Sequence, residues 1–206
     1  CTGNKKHIAA IEDIAKEKGF YNKGKINFGK EIRSEAEIYE KLGLSYIPPE
    51  LREDKGEINL AKKGKIPKLI KLSDIKGDLH VHSNYSDGLI EDSDFFRIID
   101  KYNYEYLALT DHSKSNKHGN GLSEDRLKEK FKYVEELNKV SKKARILMGS
   151  EVDIFKGGRL DYDDEILKKL DIVIASMHSS YRCSEKESNE RAAIALENKY
   201  VDFIAH

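Results

Sequence analysis

The chain has 206 residues, which is enough for one sizeable hydrophobic core or for one domain with a smaller unit. Charged residues make up 36% of it, and no apolar run approaches the roughly 18 residues of a membrane span, so a membrane protein is excluded and no membrane partner is expected. Its two cysteines, Cys1 and Cys183, argue against a disulfide framework and for a reducing, cytoplasmic setting.

Positive and negative charges cancel overall but are unevenly distributed. Residues 1–75 hold 16 Lys and Arg against 12 Asp and Glu, whereas residues 76–206 hold 21 against 25. A mildly basic front part is compatible with a polyanionic partner, although charge alone favours an ordinary solvated surface.

Two helices are predicted near the start of the chain. Apolar residues recur at helical spacing in residues 4–19, where Gly19 provides a stop. Ser34, followed three residues later by Glu37, forms a capping box for a second helix that ends at Gly43.

A connector is predicted after these helices. All three prolines fall within residues 45–75, a stretch that is also rich in charge, so we expect an extended linker there. We therefore divide the chain into residues 1–45, 46–75 and 76–206. The chain opens with Cys rather than Met and closes on the apolar stretch "VDFIAH", so we expect a fragment of a longer protein.

Strands and helices alternate after residue 75. Apolar strands followed by helices are typical of an α/β protein with a parallel sheet and helical crossovers. Strands are predicted at 75–82, 104–110, 144–154, 171–177 and 200–205, and helices at 90–101, 123–143, 163–169 and 185–198.

Each of the five predicted strands ends in side chains that can bind a metal. The strand ends read "LHVH", "LTDH", "GSEVD", "SMHS" and "IAH", and an aspartate follows the first of them in "NYSDG". In a (β/α) barrel the carboxyl ends of the strands converge on one face, where active sites lie. These candidate ligands are His80, His82, Asp87, His112, Glu151, His178 and His206.

The candidate ligands point to divalent cations. Strand alternation places His80 and His82 on one face, and imidazole and carboxylate suit Zn²⁺ or Mn²⁺. A single His-x-His pair is weak evidence, but burying this many ionisable groups without a partner is costly. We expect two or three ions in the arrangement that acts on phosphate esters, with Glu151 and Asp87 as plausible bridges.

Several other residues are given roles by position. Asp111 and Asp153 are each interpreted as a carboxylate that orients a histidine rather than as a ligand. Lys114, in the loop 113–123, and Arg182, after the fourth strand, are candidate substrate contacts, although a solvated loop is an equally good interpretation of the former.

Two pairs of residues complete the interpretation. Tyr85 and Tyr181 could stack on a base, but packing against the protein is the safer interpretation. His7 and His118 lie away from the strand ends and are predicted to be on the surface.

The motifs resemble those of a known family. "DLHVHSNYSDG", "LTDHS", "GSEVDI", "SMHSS" and "DFIAH" are similar to the successive metal-binding motifs of the PHP (polymerase and histidinol phosphatase) domain. "TDHSKS", "NGLSEDRL" and "GLSYIPPELRE" are similar to the bacterial and archaeal family X DNA polymerases, which carry a C-terminal PHP domain. "TGNKKHIAAIEDIAKEKGF" resembles the start of the polymerase thumb, which Tyr-Phe-Thr-Gly-Ser usually leads; here Thr2 and Gly3 match, while Cys1 and Asn4 depart.

The resemblance implies a fold and a ligand set. The fold would be a distorted (β/α)7 PHP barrel, incomplete here at about five strands, preceded by an α-rich thumb-like segment and a proline-containing linker. His80, His82 and Glu151 would hold one ion, Asp87, His112 and His206 a second, and Glu151 with His178 a third. The family's last metal motif and the catalytic aspartates of the polymerase palm lie outside this chain.

The resemblance also implies a function. The expected activity is 3′–5′ exonuclease action on DNA in repair, with Mn²⁺ or Zn²⁺ as cofactor and with 3′ ends, gapped or damaged duplex and an upstream polymerase domain as partners. The fragment alone would be inactive and poorly stable. A small-molecule phosphatase of the histidinol-phosphatase type and a non-catalytic PHP module that stabilises a polymerase remain alternatives.

Overall fold

A computed structural model describes residues 2–29, 31–179 and 182–206. The chain divides between Leu69 and Ile70 into two compact units, each with its own hydrophobic core. In the described part of the chain, no helix is both long enough and apolar enough to cross a bilayer.

The first unit is a small helical assembly with one hairpin. Its core is formed by Ile11, Ile14, Ala15, Tyr39, Leu42, Leu44, Ile47 and Ala61. In chain order its elements are α1 (Lys5–Glu17), β1 (Tyr21–Asn22), β2 (Lys25–Ile26), α2 (Glu35–Lys41), a 3₁₀ turn (Pro49–Leu51) and α3 (Glu57–Lys62).

Both predicted helices of this unit are confirmed. The side chain of Ser34 accepts a hydrogen bond from the backbone N–H of Glu37, which caps α2 as the sequence predicts. The reciprocal bond differs in detail, because the Glu37 carboxylate accepts from the N–H of Arg33 at 3.0 Å rather than from Ser34. Gly43 follows the helix with φ of 68°, a conformation that favours glycine.

The connector predicted for residues 46–75 is wrong over its first part. Ile47 is fully buried, Arg52 is 1% exposed, and α3 places Ala61 in the core of the first unit. The prolines do not prevent this packing, because Pro49 opens a 3₁₀ turn, where the missing N–H is not needed. Only a 3₁₀ turn at Leu72–Asp74 interrupts the segment between α3 and the first strand of the second unit. The three-part division itself stays a prediction.

The surface position predicted for His7 is also wrong. His7 is 0% exposed, its Nδ1 donates to Glu57 Oε1 at 2.6 Å, and its Nε2 is hydrogen-bonded to the Tyr39 hydroxyl at 3.0 Å. A histidine that finds two polar partners inside a unit can be buried at little cost. His118 is exposed, as predicted.

The second unit alternates strands and helices throughout. Its core includes Phe95, Leu107, Leu127, Ile146 and Val173. Its elements are β3 (Gly77–Val81), α4 (Asp92–Tyr102), β4 (Tyr106–Leu109), α5 (Glu124–Val140), β5 (Arg145–Asp153), α6 (Asp164–Leu167), β6 (Ile172–Ser176), α7 (Glu185–Glu197) and β7 (Phe203–Ile204).

The five strands of this unit form one parallel sheet in sequence order, β3-β4-β5-β6-β7. Each strand therefore lies beside its predecessor after a crossover, which is the arrangement of an incomplete (β/α) barrel. All predicted strands and helices of this unit are present, with shorter bounds than predicted for most of them. Because all the strands run the same way, their carboxyl ends lie along the same edge of the sheet, where the site is built.

Candidate metal centre

Backbone pairing places His112 beside Glu151. The chain continues past β4 alongside β5, so that Glu151 N donates to Thr110 O at 3.1 Å and Ser113 N donates to Glu151 O at 2.9 Å. His112 and Glu151 form a parallel bridge across this extension. The pairing fixes the two side chains at one level of the sheet, at the carboxyl ends of its strands.

One oxygen of Glu151 faces three imidazoles. Its side chain is 1% exposed, and Oε2 lies 3.4 Å from His80 Nε2, 3.2 Å from His82 Nε2 and 2.9 Å from His112 Nδ1. The two Nε2 atoms of His80 and His82 lie only 3.2 Å apart. Nitrogen atoms converge here on a carboxylate oxygen, which is a donor set suited to a divalent cation.

The other oxygen of Glu151 faces a second group. Oε1 lies 3.2 Å from His178 Nε2 and 3.1 Å from His206 Nε2, and it accepts a hydrogen bond from Ser176 Oγ at 2.7 Å. The rings of His178 and His206 are 5.1 Å apart. The two oxygens of the Glu151 carboxylate thus contact two different sets of histidines.

Asp87 lies at the outer edge of the cluster. Its Oδ1 accepts from His82 Nδ1 at 2.8 Å, and its Oδ2 lies 3.4 Å from His112 Nε2. The Asp87 side chain is 46% exposed, so this edge is open to solvent. The turn that carries it is closed by Gly88 N, which donates to Ser83 O at 3.0 Å.

Three groups of side chains have donor atoms close enough to share an ion. Within each group the donor atoms lie within 4.8 Å of one another. The groups are His80, His82 and Glu151; His82, Asp87 and His112; and His112, Glu151 and His178. The residues present therefore fit divalent cations that share ligands.

The electrostatics keep the carboxylates ionised. Burial alone would raise the pKa of Glu151, but hydrogen bonds from His112, His178, His80 and His82 lower it far below the usual range. Burial alone would likewise lower the pKa of His82, but Glu151 and Asp87 outweigh burial and raise it.

Asp153 contacts a histidine, as its position in the sequence predicts. Its Oδ1 accepts from His178 Nδ1 at 2.6 Å, and its Oδ2 accepts from Ser115 Oγ at 2.5 Å. Asp153 and Glu151 together raise the pKa of His178 to about 9. With Nδ1 bound to Asp153, Nε2 of His178 is directed towards Glu151.

Asp111 has different partners from those expected. It is 1% exposed, and its oxygens pair with Lys130 Nζ at 2.7 Å and accept from Ser83 and Ser86 rather than from a histidine ring. Burial alone would raise the pKa of Asp111, but Lys130 and the two hydroxyls lower it.

Several residues that support the cluster were not predicted from the sequence. They are Ser83, Ser86, Lys130 and Ser176, which bond to cluster carboxylates or to Asp111, and Gly119, which lies against His112. Lys130 has a recognisable signal, because a lysine stands three residues after Leu127 and four before Val134, on the apolar stripe of α5.

The candidate substrate contacts are less closely tied to the cluster. Lys114 Nζ pairs with Glu124 Oε1 at 3.1 Å. Arg182 is exposed and lines a surface cavity together with Lys156 and residues of α7. Tyr85 packs with its ring centre 5.1 Å from that of Tyr133, in line with a packing role. Tyr181 lies outside the described residues.

This fold and cluster belong to a known family. The family model of the PHP domain matches residues 78–205, and the chain is therefore a member of the PHP domain family. The model of the DNA polymerase beta thumb matches residues 1–53.

Particular relatives extend the comparison. The chain is 43% identical over 211 residues to "DNA polymerase/3'-5' exonuclease PolX" of Bacillus subtilis (strain 168), covering 100% of this chain and 37% of that protein. It is 51% identical over 65 residues to a probable phosphatase of Caldanaerobacter subterraneus, covering 30% of this chain and 26% of the relative. A probable phosphatase of Acetivibrio thermocellus is 36% identical over 107 residues, 50% of this chain and 41% of the relative. The chain thus spans well under half the length of these curated relatives.

Proposed function

We propose that the second unit hydrolyses DNA phosphodiester bonds from the 3′ end, as the 3′–5′ exonuclease part of a cytoplasmic repair polymerase that uses Mn²⁺ or Zn²⁺. The observation that carries this proposal is the convergence of five histidines on the two oxygens of Glu151, with Asp87 at the rim. Paired divalent cations suit phosphate esters, because one ion can supply a nucleophilic water near neutral pH while the other offsets charge on the leaving oxygen.

The distances suggest how the ligands divide. His80 and His82 with Glu151 Oε2 would hold one ion, and Asp87 with His112 and His82 a second. His206 is grouped with Asp87 by the family resemblance, but its Nε2 lies 3.1 Å from Glu151 Oε1 and its ring is next to His178. We therefore assign His206 to the third ion, with Glu151 and His178. Glu151 would bridge, since each of its oxygens faces a different group.

Other side chains of the cluster have supporting tasks. Asp153 accepts a hydrogen bond from His178 Nδ1, so Nε2, which lies beside Glu151 Oε1, is the nitrogen that would bind an ion. Ser176 holds Glu151 by a hydrogen bond to the same oxygen. Arg182, exposed beside the loop that follows β6, remains the better candidate for a contact to the DNA backbone, because the Lys114 amine is already engaged by Glu124.

The partners follow from the same comparison. The relative that matches the whole chain is named as a polymerase and exonuclease, and the first unit matches a polymerase thumb. We infer that the first unit contacts DNA, including 3′ ends in gapped or damaged duplex, when it is joined to an upstream polymerase domain. The mildly basic balance of residues 1–75 supports this role without deciding it.

The test compares two histidine variants of the full-length protein. With Mn²⁺ and an oligonucleotide labelled at its 5′ end, the wild-type protein is expected to produce a ladder of labelled products shortened from the 3′ end. His82→Ala should lower the rate at least roughly a hundredfold, since a ligand shared by two groups is lost. His118→Ala, which changes an exposed histidine, serves as the matched control and should leave the rate unchanged. Equal rates for both variants would overturn the site assignment.

A phosphatase is the second candidate. Relatives named as probable phosphatases match 30% and 50% of the chain at 51% and 36% identity. Release of phosphate from histidinol phosphate or a similar small monoester, with no shortening of DNA, would favour this alternative. If the protein binds no metal and hydrolyses neither DNA nor a small phosphate monoester, the result would instead favour a PHP module that only stabilises a polymerase.

A further inference from the structure

A buried lysine contacts the backbone of β4 and β5 beside the metal centre. Lys130 is 0% exposed and lies on the apolar stripe of α5. Its amine donates to Leu109 O at 2.7 Å and to Gly149 O at 3.0 Å, and it pairs with Asp111 Oδ2 at 2.7 Å. The three contacts match the three protons of the ammonium group. A charge buried this completely is tolerated only when it is paired and hydrogen-bonded, so these contacts account for its place in the core.

Asp111 also accepts hydrogen bonds from the loop that follows β3, so it links this loop to Lys130. Asp111 Oδ1 accepts from Ser83 N at 2.8 Å and from Ser86 Oγ at 2.6 Å, while Oδ2 accepts from Ser83 Oγ at 2.7 Å. Ser86 Oγ also lies 3.3 Å from Asp87 Oδ1. A continuous series of polar contacts therefore runs from Lys130 through Asp111 and Ser86 to Asp87.

The series explains why Asp111 is not itself directed at the cluster. Asp111 directly precedes His112, yet both of its oxygens are occupied by the lysine and by the serine donors. Without Lys130, a buried carboxylate would lose its counter-charge next to a group of metal-binding side chains and would be free to turn. The turn at residues 83–88 would lose the acceptor that fixes Ser83 and Ser86.

We propose that Lys130 is a positioning residue for the metal centre: through Asp111 it fixes the turn at residues 83–88 and so holds Asp87 against His82 and His112. This inference rests on the proposed function, since it assumes that these side chains bind divalent cations. It assigns Lys130 to the group that contains Asp87, because the series of contacts leads to that carboxylate, whereas His178 and His206 have their Nε2 atoms against Glu151 Oε1.

The test measures Mn²⁺ binding to the full-length protein. Loss of the electron paramagnetic resonance signal of free Mn²⁺ during titration gives the number of tightly bound ions and their dissociation constants. Lys130→Met should weaken one site at least tenfold while the remaining tight binding stays. Lys128→Met, a surface lysine two residues away that is paired with Asp125, is the control and should bind like wild type.

A second variant guards against a folding defect. Ser86→Ala removes the hydroxyl between Asp111 and Asp87 without leaving an unpaired buried charge. It should weaken the same site while its circular dichroism spectrum and urea midpoint stay close to those of wild type. If Lys130→Met does not fold, the result for Ser86→Ala decides.

The outcomes separate this inference from the proposed function. If wild type binds no Mn²⁺ tightly, the proposed function fails and this inference fails with it. If wild type binds Mn²⁺ while Lys130→Met, or Ser86→Ala in its place, binds with unchanged number and affinity, Lys130 is a purely structural residue and the proposed function stands.

Discussion

Gly119 lies directly against the ring of His112. A Cβ at position 119 would come within 2.2 Å of His112 Cδ2 and 2.8 Å of its Nε2, distances that real atoms do not adopt. The backbone of Gly119 is not in the left-handed region, so the obstacle to a side chain is steric contact with the imidazole. The loop 113–123, which carries the candidate substrate contact Lys114, therefore also packs against a candidate ligand.

Gly119→Ala is expected to displace the His112 ring and to weaken Mn²⁺ binding by roughly tenfold or more, the range seen when support for a ligand is lost. Titration of Mn²⁺ into the full-length protein measures this change. Lys117→Ala, an exposed change in the same loop, should bind like wild type. Normal Mn²⁺ binding by Gly119→Ala would show that the loop can move aside and that this contact is unimportant.

The candidate ligands at the strand ends were the part of the site that could be predicted from the sequence. Motifs such as His80-x-His82 identify candidate metal ligands, and the strand order predicts that they lie close together. Which histidines lie beside each oxygen of Glu151 depends on side-chain directions, which the sequence does not give. The contact of Lys130 with Asp111 joins residues 19 positions apart on different elements, so no local pattern reveals its partner. Lys130 could only have been flagged as a charge on an apolar stripe.

Elements of the first unit illustrate where local patterns fail. The hairpin of β1 and β2 turns through Lys23 and Gly24, both with positive φ (49° and 80°), without the Asn-Gly or Asp-Gly pair typical of such turns. The short helix α3 could not be predicted, because it lies in a segment rich in proline and charge. Its packing depends on one buried alanine, Ala61, and on Glu57, whose partner His7 lies in α1. Periodic helices such as α1 and α5 were predictable, since their own sequences carry the pattern.

Glu57 ties α3 to α1 and gives the first unit a pH-dependent stability. Burial alone would raise the pKa of Glu57, but the hydrogen bond from His7 and those from backbone N–H groups, including Asp54 and Lys55, lower it. A carboxyl whose pKa is lower in the folded state stabilises the fold above its unfolded pKa. That contribution is lost as the pH falls below about 4.5 and through the folded-state pKa.

Glu57→Gln should therefore destabilise the first unit by about 1.5–3 kcal/mol near pH 7, the usual contribution of a hydrogen bond to a charged group. Its difference from wild type should shrink as the pH is lowered from 6 to about 3.5. The measurement is a urea series followed at amide resonances of α1. Glu53→Gln, which alters a half-exposed carboxylate, is the control. A difference that stays constant over this pH range would contradict the role given to the ionised carboxylate.

At the scale of the whole molecule, the two units differ in their capacity for metal. All three groups of donor atoms found among the described residues lie in the second unit, on segments that are far apart in sequence. An ion held by residues from different strands and loops would favour the folded state, because the unfolded chain offers no such arrangement. Metal should therefore stabilise the second unit specifically, whatever the chemistry it serves.

Mn²⁺ at about 100 times its dissociation constant should stabilise the second unit by about 2.7 kcal/mol, and chelation should remove this gain. Urea midpoints followed at amide resonances of β5 and β6 measure the effect, and those of α1 report the first unit in the same sample. Glu151→Gln should abolish the Mn²⁺-dependent shift, because Glu151 takes part in two of the three groups and all five imidazoles of the cluster face its carboxylate. Glu165→Gln, an exposed change in α6, should keep the shift in full. A shift that survives in Glu151→Gln would mean that the ions bind elsewhere, and the metal centre described here would have to be abandoned.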